Sequence, residues 1–317
     1  MFSEKIPLPR LYLWVMIALS GPLAQLAGVT SWLTVAVTAV VCGFLCAAVL
    51  RPQNKTSSRR MCVAQLFWLA VFVGQLAAKS AGSWDEGNTY PIVPLILLLL
   101  AALSAKSGGE KASRAITAVV WLVALMFALV LGAGTTMIRG ENLLPVWQKP
   151  SWELAALLLI PAVSTFLPCE SKTKIRWLPA FTGAFAVIVN LWVIGCVSRE
   201  LAAYEKGAFL EYSKSISLFG VAERFEAVVS CALTVGWFAL LSLLFAAAGH
   251  QAEQISDQMG SWGVWICLLI AAVSVLLRWQ LPDWIVAGLA LILWVILPVC
   301  QGVCLRRKKL KKDKNSS

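Results

Sequence analysis

Apolar runs of 15 to 24 residues recur along the chain between short polar connections, and the pattern predicts ten helices. They are Leu11–Ala27, Ser31–Leu50, Met61–Ala78, Pro91–Ala105, Ala115–Gly134, Ser151–Leu167, Trp177–Val197, Phe225–Ala248, Trp262–Leu277 and Trp284–Leu305. Crossing a bilayer as a helix takes about 20 apolar residues, with a working range of roughly 17 to 25. In hydrocarbon each segment must satisfy its own backbone groups, which selects helices, and the alternating strand pattern of an outer-membrane barrel is absent. The first run follows Lys5 and Arg10 as a secretory leader would. Nine more runs come after it, so it reads as span one.

The longest polar interruption is residues 207–226, GAFLEYSKSISLFGVAERFE, between spans seven and eight. Phe209, Tyr212, Ile216 and Phe219 recur at helix-compatible spacing with charges such as Lys214 between them, which predicts short helices lying on one face of a bundle. Glu223, Arg224 and Glu226 stand at the entrance to span eight, where acids suit the positive end of a helix.

Composition agrees with the pattern. The 317 residues are 59% hydrophobic and 14% charged, with a mean hydropathy of +0.78, more apolar surface than one soluble core hides. The net charge of +11 is distributed by topology and does not point to nucleic acid. The N-terminus, residues 51–60, 106–114 and 170–176, and the tail from Arg306 hold 19 of the 27 Lys and Arg. The alternate connections hold eight, with ten of the sixteen acids. The positive-inside rule places both ends in the cytoplasm, with residues 1–305 as one membrane domain and 306–317 as a basic tail attracted to anionic lipid. Trp32, Trp84, Trp147, Trp152, Trp177, Trp262, Trp279 and Trp284 lie near predicted helix ends, where indoles sit at the headgroup level. The nine cysteines have no metal-ligand or CxxC spacing and read as small helix residues. His250 reads as a wetted helix terminus.

No catalytic triad, nucleotide-binding loop or metal motif is visible, so no enzyme activity, metal or cofactor is expected. Two spans instead carry helix-breaking residues at membrane depth: Ser20-Gly21-Pro22 in span one and Ile160-Pro161-Ala162 in span six. Proline removes a donor and frees carbonyls, which must then be buried in protein or line a cavity. Spans one and six are corresponding members of two groups of five. This predicts an all-α fold with a five-plus-five inverted repeat, its first helices broken around a midplane ligand site. Half-helix N-termini there suit a carboxylate and freed carbonyls an ammonium; Thr234 of span eight could face the same cavity. Two ordinary kinks are the alternative reading.

Three stretches resemble the B-subunit family of spore germinant receptors, permease-like members of the amino acid-polyamine-organocation superfamily. They are ISLFGVAERFEAVVSCALTVGWF at 216–238, ENLLPVW at 141–147, and YPIVPLILLLLAALSAKSGGEKASRA at 90–115. The resemblance implies a ten-helix inverted repeat, a pocket for a small germinant such as an amino acid, and A-type and C-type receptor subunits as partners. It also implies a location in the spore inner membrane and a sensing function worked by conformational change. A transporter of an amino acid or related solute by alternating access is the competing expectation, and a ligand-free scaffold a third. On either ligand-binding reading, residues 207–226 are expected to form a lid over an outer vestibule.

Overall fold

The computed structural model describes residues 8–29, 31–50, 59–82, 91–106, 109–135, 138–144, 146–167, 177–197, 208–215, 225–278 and 281–303. The chain is all helix there. Its elements are α1 (Leu8–Leu26), α2 (Trp32–Val49), α3 (Arg59–Gly82), α4 (Ile92–Lys106), α5 (Gly109–Gly134) and α6 (Trp152–Leu158), the last continued by a 3-10 helix (Ile160–Phe166). Then come α7 (Leu178–Val197), a short α8 (Ala208–Ser215), α9 (Phe225–Glu253), α10 (Met259–Leu276) and α11 (Asp283–Ala290), which passes through a π-helical stretch (Leu291–Ile296) and stays helical to residue 303. Six helices are long and apolar enough to cross a membrane, and Ile92–Lys106, Trp152–Phe166 and Trp262–Leu276 are shorter apolar helices. With α1 they make the ten spans, α9, α10 and α11 being the eighth to tenth. The chain is a multi-pass membrane protein.

Apolar runs mark hydrocarbon depth, and helices need not stop where it ends. α5 therefore begins six residues before the apolar run, taking in the charged segment Glu110–Arg114, and α9 extends five residues past Ala248 to Glu253. Ser31 and Ser151 cap α2 and α6, each accepting a hydrogen bond from the backbone N–H three residues on. Gly28 closes α1 with φ of +64°, a left-handed conformation that glycine adopts without cost. Trp152, Trp177, Trp262 and Trp284 are exposed at helix ends and Trp147 in the connection before α6, as an interfacial belt requires; Trp32 is half-buried, and Trp84 and Trp279 lie outside the described residues.

The packing repeats under exchange of each span with the one five places on. Span one lies on seven as six lies on two; five lies on one and eight as ten lies on six and three; three lies on nine as eight lies on four. Spans two and seven pack on each other, as do three and eight, and four and nine. The result is one bundle of spans one, two, six and seven beside a second set of three, four, eight and nine. Five is odd, so the second repeat enters from the opposite face. The repeat is imperfect: spans one and eight pack closely, and six meets eight through its 3-10 segment, while the corresponding pairs, three with six and one with three, make only sparse contact among the described residues.

Small residues let the backbones approach. A Cβ on Gly21 would overlap Val189 of α7, and one on Gly74 of α3 would meet Ser274 and fall 2.6 Å from the Ala271 carbonyl oxygen of α10. The expected interruption of span one at Gly21-Pro22 does not occur. α1 continues through Pro22 to Leu26, with Ser20, Gly21 and Pro22 all buried among neighbouring helices. The break is confined to span six.

Overpacking a tight contact costs about 1–3 kcal/mol. Gly74→Val is expected to destabilise the protein by that amount and so lower its thermal unfolding temperature in detergent or nanodiscs. Gly132→Ala, whose added Cβ meets nothing within 4 Å, is expected to leave it unchanged.

Candidate functional site

Span six changes character at Leu159-Ile160-Pro161, where a seven-residue α-helix gives way to a seven-residue 3-10 helix. The tighter winding and the missing proline N–H leave carbonyls exposed to the bundle interior. Backbone N–H groups still reach the Ala155 and Leu159 carbonyls, and side chains add further donors around the break. The Tyr12 hydroxyl of α1 donates to the Ile160 carbonyl at 2.8 Å. Cys46 of α2 lies 4.0 and 3.9 Å from the Leu158 and Leu159 carbonyls, and Cys42 lies 3.8 Å from that of Ala155, the approach of a weak thiol donor. Within the 3-10 segment, Ser164 donates to the Pro161 carbonyl at 2.7 Å and Thr165 to that of Ala162 at 2.8 Å. Tyr12 and Ile160 are fully buried, so the break is filled with protein in this state.

The candidate residues of span six therefore sit at a discontinuity, and Tyr12 is the residue of α1 that meets it. Ser20, Gly21 and Pro22 lie eight to ten residues further along α1, about 12–15 Å by helical rise, against α7. The structure does not bring the two triplets face to face. Ser20 donates back to the Ile17 carbonyl at 2.8 Å. Thr234 is half-buried and donates to the Ser230 carbonyl of its own helix at 2.9 Å.

Between spans seven and eight, α8 goes deeper than a surface helix, while Ile216 and Phe219 lie outside the described residues. Phe209 and Tyr212 of α8 are buried. The Phe209 ring lies 4.8 Å from Phe127 of α5, and the Tyr212 hydroxyl donates to the Val130 carbonyl at 2.8 Å. A Cβ on Gly134 would overlap that hydroxyl. Burial, with the neighbouring Cys196 adding to it, holds the Tyr212 phenol well above its usual pKa, so it stays a neutral donor. Lys214 lies on α8 and Glu226 in the first turn of α9, but their side chains, with Glu223 and Arg224 entire, lie outside the described residues. The ENLLPVW stretch is pinned across the same end of the bundle. Asn142 donates to the Gly195 carbonyl at 2.9 Å, Ser31 donates to the Val146 carbonyl, and Thr34 donates to that of Gln148 at 2.7 Å.

Two polar clusters were not anticipated from the sequence. Lys79 at the end of α3 pairs with Glu153 in the first turn of α6 and lies 3.6 Å from Asp283 at the start of α11. At the opposite face Gln251 donates to Gln65 at 2.6 Å, and Gln65 donates to the Leu293 carbonyl at 2.7 Å inside the π-helical stretch. Nearby, the indole nitrogens of Trp68 and Trp294 are buried and have no hydrogen-bond partner among the described residues. The π-helix could not be read from an unbroken apolar run, while Gln65 and the acids at helix starts were visible signals without an assigned neighbour.

No protein-family model matches the sequence, and no curated protein matches it either. Among solved structures the chain is similar to MHP1, a nucleobase-cation-symport-1 family transporter in a closed conformation with bromovinylhydantoin bound. The TM-score is 0.50 at 13% identity, over 92% of this chain and 76% of that one. The fold is that of an inverted-repeat transporter. At this identity the likeness concerns the fold alone.

A buried carbonyl left without its donor costs about 1–3 kcal/mol. Tyr12→Phe, which removes only the hydroxyl facing Ile160, is expected to destabilise the protein by that amount in thermal unfolding. Gly134→Ala is expected to displace Tyr212 and to increase proteolytic access to α8 in the folded protein.

Proposed function

We propose that this chain is a ligand-sensing membrane subunit of the spore germinant receptor B type, responding to a small germinant such as an amino acid. The observation that carries the reading is the break of span six at Pro161, whose Ile160 carbonyl is held by a side-chain hydroxyl that a ligand ammonium can displace. Binding then shifts a population between two states in proportion to the ligand's differential affinity for them. Ile160, Pro161 and Ala162 are the proposed ligand-site residues; Ser20, Gly21 and Pro22, about 12–15 Å along α1 from the Tyr12 contact, and Thr234 are not among them. Phe209, Tyr212 and Lys214 belong to the lid, and Glu223, Arg224 and Glu226 anchor the helix that follows it. The resemblance of residues 90–115, 141–147 and 216–238 to the receptor family supports sensing and A-type and C-type partner subunits, and the distribution of Lys and Arg supports both termini in the cytoplasm.

The second reading, transport of an amino acid or related solute by alternating access, is favoured by the fold shared with a symport-family transporter. Substrate-dependent uptake by the full-length protein in proteoliposomes selects transport. A germinant response without uptake selects sensing.

Pro161→Ala restores a backbone donor to span six and lets the α-helix run on. It is expected to reduce germinant response, or uptake, at least tenfold at unchanged abundance in the membrane. An unaltered response at equal abundance would remove the ligand site from the sixth-span break.

A further inference from the structure

The connection between spans five and six is fastened along one side and open along the other. The Asn142 side chain and the Arg139 backbone N–H both donate to the Gly195 carbonyl near the end of α7, at 2.9 and 3.0 Å. Further on, Ser31 donates to the Val146 carbonyl. Thr34 donates to the Gln148 carbonyl at 2.7 Å and accepts from the Gln148 N–H at 3.0 Å, so residues 146–148 are tied to the start of α2. From Val146 onward the side chains alternate as they do along extended chain: Val146 and Gln148 are half-buried, Trp147 and Lys149 exposed. An indole and an ammonium therefore share the open side. Leu144 and Trp152 are 63% exposed and Trp147 is 50% exposed, while Arg139 is exposed at the other end of the segment. Hydrogen bonds hold the backbone that carries these apolar side chains, so their outward setting is fixed by the fold.

We propose that residues 138–152 form a docking edge for the headgroup of an anionic phospholipid. Trp147 and Trp152 lie beside its glycerol and upper acyl region, and Lys149 and Arg139 hold its phosphate. Position selects a lipid over a soluble or protein occupant. The edge starts just after α5 ends at Gly134 and finishes in the first turn of α6, and both helices are spans, so it stands where hydrocarbon gives way to water. Indoles and cationic side chains are both suited to that level. Charge selects an anionic headgroup. Arg139, Glu141 and Lys149 make no ion pair among the described residues, and Glu141 is the one acid in the segment, which leaves a surplus of one positive charge. Guanidinium and ammonium both bind phosphate oxygens, whereas the choline of a zwitterionic lipid brings a third cation to the same place. The edge differs from the basic tail, which carries its charge with only Leu310 for an apolar contact. Lys149 stands two residues before Ser151, the cap of α6, so a headgroup held there is bound to the entrance of the span that changes winding at Pro161. The inference holds for a sensor and for a transporter alike.

The test uses the full-length protein in nanodiscs that carry brominated acyl chains on either phosphatidylglycerol or phosphatidylcholine, the mole fraction being varied at constant total lipid. Bromine quenches tryptophan at contact, and subtracting the signal of Trp147→Phe isolates that of Trp147. Brominated phosphatidylglycerol is expected to half-quench Trp147 at a mole fraction roughly fivefold below that of brominated phosphatidylcholine, the measure of one basic charge at an anionic surface. Lys149→Gln or Arg139→Gln is expected to remove this preference, Lys149→Arg to retain it, and Glu141→Gln to raise it by a similar factor. In the unsubstituted protein the preference is expected to shrink as salt is raised, a measurement that needs no variant.

Equal quenching by the two lipids, or a preference that survives loss of both cations, overturns the proposal. No quenching of Trp147 by either lipid also overturns it and places the edge clear of the bilayer, as a protein-binding surface would be. Inorganic phosphate added at constant ionic strength is expected to leave the preference unchanged. Loss of the preference in phosphate assigns the cations to the free anion and removes the lipid.

Discussion

A backbone carbonyl that loses its helical partner inside hydrocarbon has no water to turn to, and this constraint governs the centre of the molecule. The sixth span changes winding at Pro161, where proline cannot donate, and side-chain donors from α1, α2 and the 3-10 segment itself gather on the carbonyls around it. Tyr12 is the strongest of these and fixes the relation of span one to span six. The thiols of Cys42 and Cys46 are weaker donors, yet they keep the facing α2 residues small and slightly polar where the broken backbone passes. An arrangement of this kind is stable only while every donor stays in place. It also contains the means of change, because a ligand that offers a better donor competes directly with a side chain.

The repeat supplies the mechanical counterpart. Two groups of five spans, packed alike but inserted in opposite senses, create paired interfaces on opposite faces, and one member of a pair can be tight while the other is loose. Here spans one and eight are the tight pair, and spans three and six are separated by a small cavity and bridged by Lys79 with Glu153. At the far end of span three the buried Gln65, bound to Gln251 and to the π-helical carbonyl of Leu293, holds spans three, eight and ten together.

Residues 207–226 illustrate how much of a site was legible beforehand. The spacing of Phe209 and Tyr212 disclosed a short helix with one apolar side. A surface position was the natural expectation, because a polar segment between spans lies at the membrane boundary. Its apolar side instead finds Phe127 and the carbonyl of Val130 within the bundle, and Gly134 leaves the space that Tyr212 occupies. Likewise Gly21 looked like half of a helix break, and it proves to be the point of contact with Val189. Glycine permits both roles, and only the position of a neighbouring helix distinguishes them.

The sequence by itself determined the ten spans, the pairing of two groups of five, the belt of tryptophans and the break at Pro161. Each follows from a property that a segment carries alone: its length of apolar residues, the parity of crossings, or a missing N–H. The tertiary structure decided the rest. It kept span one continuous through Pro22, brought Tyr12 to Ile160, wound a π-helical stretch opposite Gln65, and set Lys79 between two acids more than 70 and 200 residues away in the chain. Such partners are invisible to local patterning because the energy of a buried polar group depends on what faces it, and what faces it is set by packing of the whole bundle.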